Sequence, residues 1–246
     1  MKITPIYLKG DVHANSNLAN LILSSVRRAK YRLKNDDVLV VAHKIVSKAE
    51  GRVIDLVTIQ PSMRAINIAR KYRKDPRIVE LILRESRRIV KMERGIIITE
   101  TKHGFVCANA GVDKSNISGD RAVLLPTNPD RSAVKIKRAV MRQTRKNVAV
   151  IISDTFGRPF RKGQVNVAIG IAGLNPLKDY RGTKDMFGKQ LKVTEIAVAD
   201  EMASAAELVM GKTDATPVVI ITDFKYENKQ GSAKDLIRKR KYDLFR

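Results

Sequence analysis

The sequence contains little of several residue types. Its one cysteine, Cys107, excludes an internal disulfide and a cysteine-rich zinc site. Aromatic residues make up only 5% of the chain and tryptophan is absent, which argues against a stacking platform for single-stranded nucleic acid. No apolar run approaches the roughly 20 residues that a membrane span needs. The N-terminal stretch MKITPIYLKGDVH lacks the apolar region of a secretory signal, so we expect a soluble, cytoplasmic protein.

Acidic residues are also scarce, with 25 against 48 basic residues and a formal net charge of +23. Such a charge attracts polyanions, and nucleic acid is the first candidate. The basic residues, however, are spread among apolar residues at helical spacing, which is typical of solvated helix faces. Nucleic acid is therefore the less favoured partner. A basic surface equally suits a small substrate that carries several phosphates or carboxylates.

Apolar runs and helix signals alternate along the chain without a strict βαβ period, which favours a mixed α/β or α+β fold. Strands are predicted at residues 2–8, DDVLVVAHKIV, GIIITE, GFVCANAG, NVAVIISD, QVNVAIGIAG, KVTEIAVAD and PVVIITD. Helices are predicted over about 16–33, from Pro61, over 76–90, from Asp130 or Ser132 to about 147, over 201–210 and over 232–241. Neither a Rossmann fingerprint nor a P-loop motif is present.

Three segments combine acids, small polar residues and glycine at strand ends: SKAEGR, NAGVDKSN and DTFGRPFRKG, the last predicted as a polar turn. Asp154 directly follows the apolar run VAVII, a common position for a ligand of Mg²⁺ or Mn²⁺. Asp113 and the hydroxyl of Thr155 are further oxygen donors of the kind that hard divalent ions prefer. The residues alone therefore favour a divalent-metal site that binds phosphate.

Each segment also has a simpler structural interpretation. Asp-Thr-x-Gly is often a turn or a helix cap, NAGVD can form an Asx-turn, and SKAEGR can be an exposed turn. Cys107 is more typical of a small buried strand residue than of a nucleophile, because no histidine is recognisably spaced to activate it.

Together and in this order, the segments resemble the coenzyme F420-0:L-glutamate ligase family, the γ-glutamyl ligases of the deazaflavin coenzyme. The resemblance is carried by VLVVAHKIVSKAEGR, VCANAGVDKSN, LLPTNPDRSA, VAVIISDTFGRPFRKGQVNVAIGIAGLNPLKDYRGTKDMFG and VADEMASAAELVMG. It implies the family's own α+β (mixed α/β) fold, with a mixed central sheet and two intertwined lobes. The ligase domain is then expected over residues 1–222, followed by a basic C-terminal helix or tail over 223–246.

The resemblance implies a GTP-dependent, homodimeric enzyme that uses two divalent ions, Mg²⁺ or Mn²⁺, with K⁺ as a further candidate cofactor. Such an enzyme phosphorylates a carboxylate of the deazaflavin side chain, and the amine of L-glutamate then attacks the acyl phosphate to form an amide. Further γ-linked glutamates can follow. Two alternatives stay open: the same chemistry on a folate or other acceptor, and a non-catalytic nucleic-acid-binding protein.

The resemblance also assigns individual residues. Asp113 and Asp154 are expected to bind one metal ion and Thr155 the other. The nucleotide is expected to contact Asp11, Val12, His13, Ala14, His43, Lys44, Lys48 and Asn116. Independently of the family, we predict Arg158 and Arg161 as catalytic contacts to phosphate or to an anionic acceptor.

Two departures from the family pattern stand out. His43 and Lys44 occupy positions where the family usually has small hydroxyl residues. The segment after VMG usually carries an acid or amide that helps to hold the second metal, but here Lys212 follows the glycine. A charged lysine cannot coordinate a cation, which predicts a weaker second metal site or a substitute ligand at Asp214.

Overall fold

The structure, a computed structural model, describes residues 1–244. Its strands are β1 (Lys2–Ile6), β2 (Val38–Ala42), β3 (Val53–Asp55), β4 (Ser86–Glu93), β5 (Ile96–Thr101), β6 (Val106–Ala108), β7 (Arg121–Val123), β8 (Ala149–Arg158), β9 (Arg161–Ala172), β10 (Lys178–Asp179), β11 (Glu195–Ile196) and β12 (Val218–Thr222). Its α-helices are α1 (Leu18–Arg28), α2 (His43–Ala49), α3 (Met63–Tyr72), α4 (Pro76–Glu85), α5 (Pro129–Thr144) and α6 (Val198–Met210). The predicted α+β class with a mixed sheet is confirmed.

A five-stranded sheet in the order β1-β12-β2-β8-β9 forms the centre of the larger lobe. The β2–β8 pair is parallel and the other pairs are antiparallel. Successive residues of β2, β8 and β12 are fully buried, and because alternate side chains of a strand point to opposite faces, both faces of the sheet are covered. Helix α5 packs on β8 and β9, and α6 packs on β9, β1 and β12.

The smaller lobe is formed by the chain between α2 and α5 and has its own hydrophobic core, which includes Leu56, Val79, Ile82 and Ile97. It contains the β4-β5-β6 sheet, the β3–β7 ladder and helices α3 and α4. Ser62 caps α3 and Asp75 caps α4, each by accepting a hydrogen bond from a backbone N–H in the first turn. This lobe is an insertion, because β2 precedes it and β8 follows it in the central sheet.

Several predicted boundaries are wrong because an apolar run does not by itself distinguish a strand from a helix. The run DDVLVVAHKIV is a strand only to Ala42, and α2 begins at His43. Residues 86–90, predicted as the end of a helix, belong to β4, because they pair with β5. Most of KVTEIAVAD is not a strand either, since α6 already begins at Val198.

The segment DTFGRPFRKG is a long hairpin rather than a turn. Strands β8 and β9 stay paired from Val150 with Ala172 out to Arg158 with Arg161. The hairpin therefore extends well beyond the buried part of the sheet, and Phe160 at its tip is 87% exposed.

The predicted terminal helix over 232–241 is wrong: the chain there forms two short 3₁₀ turns, Ala233–Leu236 and Arg240–Tyr242. Phe224, Tyr226, Leu236 and Ile237 nevertheless pack against the core of the larger lobe. The described part of the tail is thus joined to the larger lobe by apolar contacts. None of the helices within residues 1–244 is long and apolar enough to cross a membrane.

Candidate active site

One edge of the central sheet collects chain segments that are far apart in sequence. Since β2 and β8 are parallel neighbours, the residues that follow Ala42 and Ser153 emerge together. Strand β12 is antiparallel to β2, so its start lies at the same edge, where Ala42 N donates to Pro217 O. Leu8, just after β1, is bonded to Ala215 there. This convergence places four chain segments around one opening.

A cavity of about 670 Å³ lies at this edge, which is within the size range of small-molecule sites. It is bordered by the loop after β1, by the start of α2, by β8 and by the loop after α6. The smaller lobe closes it with the chain from Cys107 to Asn116. The cavity is therefore formed between the two lobes.

Asp154 and His43 meet at the ends of the two parallel strands. Nε2 of His43 lies 3.1 Å from Oδ1 of Asp154, and the same oxygen accepts a hydrogen bond from Thr155 N. The His43 side chain is 4% exposed and that of Asp154 is 14% exposed. No hydrogen bond to Oδ2 of Asp154 is found within residues 1–244, and Asp154 is part of the cavity lining.

Asp113 reaches the cavity from the smaller lobe. Its carboxylate accepts from Lys44 Nζ at 2.6 Å and from the backbone and hydroxyl of Ser115. Burial favours the neutral acid, but the hydrogen bonds from Lys44 and Ser115 outweigh burial, and the pKa of Asp113 is lowered. Asp113 is thus held as an anion, and Lys44 connects it to α2 of the larger lobe.

The early loop carries a second ion pair. Lys48 Nζ lies 2.7 Å from Oδ1 of Asp11, and the hydrogen bond from Lys48 lowers the pKa of this carboxyl. Asp11, Val12 and Lys48 line the cavity, whereas His13 and Ala14 lie outside its lining. Asn116, also in the lining, donates to the backbone oxygen of Lys212 and so links the two lobes across the opening.

Thr155 belongs to a closed ring of hydrogen bonds. Its hydroxyl donates to Asn166 Oδ1 at 2.7 Å, and Asn166 Nδ2 donates to Glu207 Oε2 at 2.8 Å. Lys212 Nζ completes the ring, 2.6 Å from Glu207 Oε1 and 2.8 Å from Thr155 Oγ1. These four side chains form one polar cluster on the cavity wall and are called the Thr155 ring below.

Sequence reasoning missed Asn166 and Glu207, although each carries a signal. Glu207 is an acid in the last turn of α6, where the helix dipole disfavours negative charge. Asn166 is 3% exposed in the middle of a strand, an environment that disfavours asparagine unless its amide is bonded.

Two further oxygen atoms in the lining have no hydrogen-bond partner within the described residues: Ser153 Oγ and Asn109 Oδ1, both buried. Asn109 also begins three successive residues with positive φ, at 53° for Asn109, 54° for Ala110 and 71° for Gly111. Left-handed backbone is strained for alanine, and such strain is concentrated at functional sites. A Cβ at Gly111 would lie 2.6 Å from Leu125, so this turn needs glycine.

The comparisons with known proteins agree with one another. The sequence model of the F420-0:gamma-glutamyl ligase family matches residues 9–223. Three similar proteins are each named coenzyme F420:L-glutamate ligase. They come from Methanocaldococcus jannaschii (49% identity; 98% of this chain and 94% of the relative), Methanothermobacter thermautotrophicus (48%; 96% and 94%) and Archaeoglobus fulgidus (40%; 98% and 93%).

The chain belongs to the F420-0:gamma-glutamyl ligase family. Within this ligase family member, most of the residues predicted for the site line one cavity: Asp11, Val12, His43, Lys44, Lys48, Asp113, Asn116, Asp154 and Thr155. His43 and Lys44 also lie there, at the start of α2, and Lys212 closes the Thr155 ring.

The oxygen donors of this ligase-family cavity suit a hard divalent ion that shares its coordination with a ligand. No three His, Cys, Asp or Glu side chains within residues 1–244 are grouped as a complete metal site. Mg²⁺ usually takes one or two carboxylates and completes its shell with water and substrate phosphates. Asp113 and Asp154 are the carboxylates of the cavity lining that were predicted as metal ligands, with side chains that are 41% and 14% exposed.

Arg158 and Arg161 lie outside the cavity lining, in the exposed part of the β8–β9 hairpin. Arg158 donates to the backbone oxygen of Lys162, across the hairpin. Within one chain, these two arginines are therefore not placed among the cavity residues, although their neighbours Phe156, Gly157 and Gln164 are.

Proposed function

We propose that this chain catalyses amide formation between L-glutamate and a carboxylate of coenzyme F420, with GTP as the phosphate donor. Membership of the family and relatives of 40–49% identity that bear the name coenzyme F420:L-glutamate ligase support the ligase activity. One observation connects the proposed activity with this cavity: the carboxylates of Asp113 and Asp154 and the ammonium groups of Lys44 and Lys48 belong to the lining of a single cavity of about 670 Å³.

The proposed reaction has two steps. A carboxylate is a poor electrophile, so its oxygen first attacks the γ-phosphorus of GTP, forms an acyl phosphate and releases GDP. The amine of L-glutamate then attacks the acyl carbon, the C–O bond to phosphate breaks, and the nitrogen loses a proton. The products are the amide, GDP and inorganic phosphate, and addition of further γ-linked glutamates repeats the same steps.

The basic residues and the acidic residues of the cavity are proposed to bind different groups. Lys44 and Lys48 are proposed to contact phosphate oxygens, because each ammonium already faces the cavity from one surface of α2. Asn116 and the loop of Asp11 and Val12 are proposed to hold the nucleotide. A nucleotide that binds Lys44 and Lys48 would compete with Asp113 and Asp11 for these ammonium groups, which would free both carboxylates for a cation.

Asp113 and Asp154 are the proposed ligands of Mg²⁺ or Mn²⁺. When bound, a divalent ion offsets the charge that phosphoryl transfer develops on the phosphate oxygens. The family resemblance makes Thr155 the expected contact of a second divalent ion, but in this chain its hydroxyl is bonded to the Lys212 ammonium and to Asn166. The use of K⁺ remains a prediction.

The test is an assay with purified protein, GTP, Mg²⁺ or Mn²⁺, L-glutamate and coenzyme F420-0. Phosphate release that depends on both acceptor and glutamate, together with product that is heavier by one glutamate residue, is expected. Folded protein that releases no phosphate in response to the acceptor would contradict the proposal. Replacing GTP with ATP in the same assay measures the nucleotide preference.

A folate-type acceptor is the alternative substrate, because His43 and Lys44 alter a part of the cavity wall where the family usually has small hydroxyl residues. The choice of acceptor is tested by supplying F420-0 and folate together at equal concentration and measuring the masses of the products. The deazaflavin is expected to react preferentially, and exclusive glutamylation of folate would overturn this choice of acceptor.

We also propose that the chain forms a homodimer. The exposed apolar side chains of Phe160, Met186 and Phe187, each 86–88% exposed, support this, because they lie on the β8–β9 hairpin and the long segment between β10 and β11. Sedimentation velocity is expected to give a dimer that Phe160→Ser combined with Phe187→Ser weakens. Val57→Ser, at a site that is 78% exposed in the smaller lobe, serves as the matched control. A wild-type monomer at micromolar concentration would contradict the proposal.

A further inference from the structure

Lys212 is held in the cavity by the way α6 ends. Gly211 terminates the helix with a φ of 59° and a ψ of −170°. The chain then folds back along the last turn, so that Lys212 reaches Glu207 on its own helix and Thr155 on β8. This combination of φ and ψ is adopted almost only by glycine, so the reversal requires glycine at position 211.

The Lys212 ammonium contacts the oxygens that a second divalent ion would use. It donates to Glu207 Oε1 and to Thr155 Oγ1, and the other Glu207 oxygen already accepts from Asn166. Glu207 is the only carboxylate of the Thr155 ring, so the ring's one negative charge is neutralised by the lysine. A divalent ion at this place would meet a fixed positive charge at a short distance.

The site of Asp113 and Asp154 differs in this respect. Asp154 keeps one oxygen without a hydrogen bond within the described chain, and the buried Ser153 Oγ beside it has no partner either. Two carboxylates from the two lobes face the same cavity there, against one in the Thr155 ring. The donors therefore favour a divalent ion at Asp113 and Asp154 over one at Thr155 while Lys212 is in place.

We infer that Lys212 replaces the second divalent ion in this chain, so that its ammonium, positioned by Glu207 and Thr155, supplies a built-in positive charge beside the phosphates. The inference rests on the proposed function, since it assigns a part in the same site. Lys212 is 58% exposed and its ammonium has three N–H donors, so it can donate the third to a bound phosphate while it stays bonded to Glu207 and Thr155.

Metal stoichiometry tests this assignment without any turnover. The amount of Mn²⁺ bound per chain in the presence of saturating GDP is measured by equilibrium dialysis, with free Mn²⁺ read by its electron paramagnetic resonance signal. Wild-type protein is expected to bind about one Mn²⁺, and Lys212→Ala about two, because the oxygens of Thr155 and Glu207 become available. Lys212→Arg keeps the charge and is expected to stay at about one. Adding Glu207→Gln to Lys212→Ala is expected to remove the gained ion.

The outcomes separate this inference from the proposed function. Wild-type protein that binds two Mn²⁺, or a Lys212→Ala variant that still binds one, would overturn the part assigned to Lys212 and leave the ligase proposal standing. Wild-type protein that binds no Mn²⁺ with GDP would overturn the proposed metal site itself. Circular dichroism melts of each variant establish that the proteins compared are folded, and the exposed position of Lys212 makes a change in melting temperature unexpected.

Discussion

Nε2 of His43 lies 3.1 Å from Oδ1 of Asp154, at the point where two parallel neighbouring strands leave the core together. The two residues belong to opposite sides of a long insertion, yet the β2–β8 register fixes them beside each other. Asp154 thereby has one oxygen engaged by the protein, while the other has no hydrogen bond within the described residues. This division is what a metal ligand of defined orientation requires.

Replacing Asp154 with asparagine is expected to reduce kcat/KM of the proposed ligase reaction by at least about 100-fold, because an amide oxygen carries no charge to hold a divalent ion. The melting temperature without metal is expected to change by less than about 3 °C, since the amide oxygen can still accept from His43 and Thr155 N. Phosphate release and a thermal melt measure the two effects.

Asp179→Asn is the control, because Asp179 forms an exposed ion pair with Arg181 outside the cavity lining. It is expected to leave both quantities unchanged. If Asp154→Asn retained activity, or if it lowered the melting temperature in proportion to its activity loss, Asp154 would be a structural residue. Asp113→Asn is expected to behave like Asp154→Asn in the activity assay.

The sequence predicted the class of fold and most of the site residues that line the cavity. It could not predict features that depend on contacts between residues far apart in the chain. Ser86–Glu93 has apolar residues compatible with a helix and becomes strand β4 only because β5 pairs with it. His43 follows the apolar strand β2 directly, and the sequence alone does not show that the strand ends there and that helix α2 begins. Glu207 and Asn166 join the site through contacts that only the packing of α6 on β9 creates.

Glu80 makes stability depend on pH between about 4.5 and about 2. It is buried in α4 and accepts from the hydroxyl and backbone of Ser62 and from Arg84, and these bonds, led by that of the Ser62 hydroxyl, lower its pKa to about 2. Because the folded-state pKa lies below the unfolded one, the stabilisation is present above about 4.5 and is lost as the pH falls toward about 2.

Glu80→Gln is therefore expected to reduce the free energy of unfolding at pH 7 by about 1–2 kcal/mol, and to unfold like the wild type near pH 2. Urea titrations across this pH range measure the difference. Glu93→Gln, which removes an exposed pair with Lys91, is expected to show almost no difference at either pH. A constant gap between Glu80→Gln and wild type at all pH values would show that the charge of Glu80 is not the cause.

Cys107 is expected to be inert in the folded protein even though it lines the cavity. Burial, assisted by the negative charge of Asp154, raises the pKa of its thiol to about 12. At pH 8 the thiolate fraction is then reduced roughly a thousandfold relative to an ordinary thiol, and the thiolate is the reactive form. Labelling by a disulfide reagent is expected to be slow in buffer and fast in urea. Rapid labelling of native protein at pH 8 would contradict this.

Asp130 anchors the described C-terminal segment. Its carboxylate accepts from Ile171 N, from Ala233 N and from the Ser232 hydroxyl. Asp130→Ala is expected to lower the free energy of unfolding by about 2–3 kcal/mol, because two backbone donors lose their acceptor. Trypsin is then expected to cleave within residues 225–241 faster than in the wild type.

Ser232→Ala removes the hydroxyl bond to Asp130 and the bond that the same hydroxyl accepts from Lys234 N, but it leaves Asp130 bonded to Ile171 N and Ala233 N, so a smaller loss of about 1 kcal/mol is expected. Intact-mass analysis of the digests locates the cuts. If Asp130→Ala were cleaved no faster than Ser232→Ala in this segment, the packing of Phe224, Tyr226 and Ile237 would hold the tail without the carboxylate.

Asp113 and Asp154 are carried by separately packed cores, since the first belongs to the inserted lobe and the second to the central sheet. The distance between the two carboxylates therefore depends on how the inserted lobe packs against the larger lobe, and the bonds of Lys44 to Asp113 and of Asn116 to the backbone oxygen of Lys212 join the lobes across the cavity. A substitution that weakened this packing would change the spacing of the proposed metal ligands even though both carboxylates were kept.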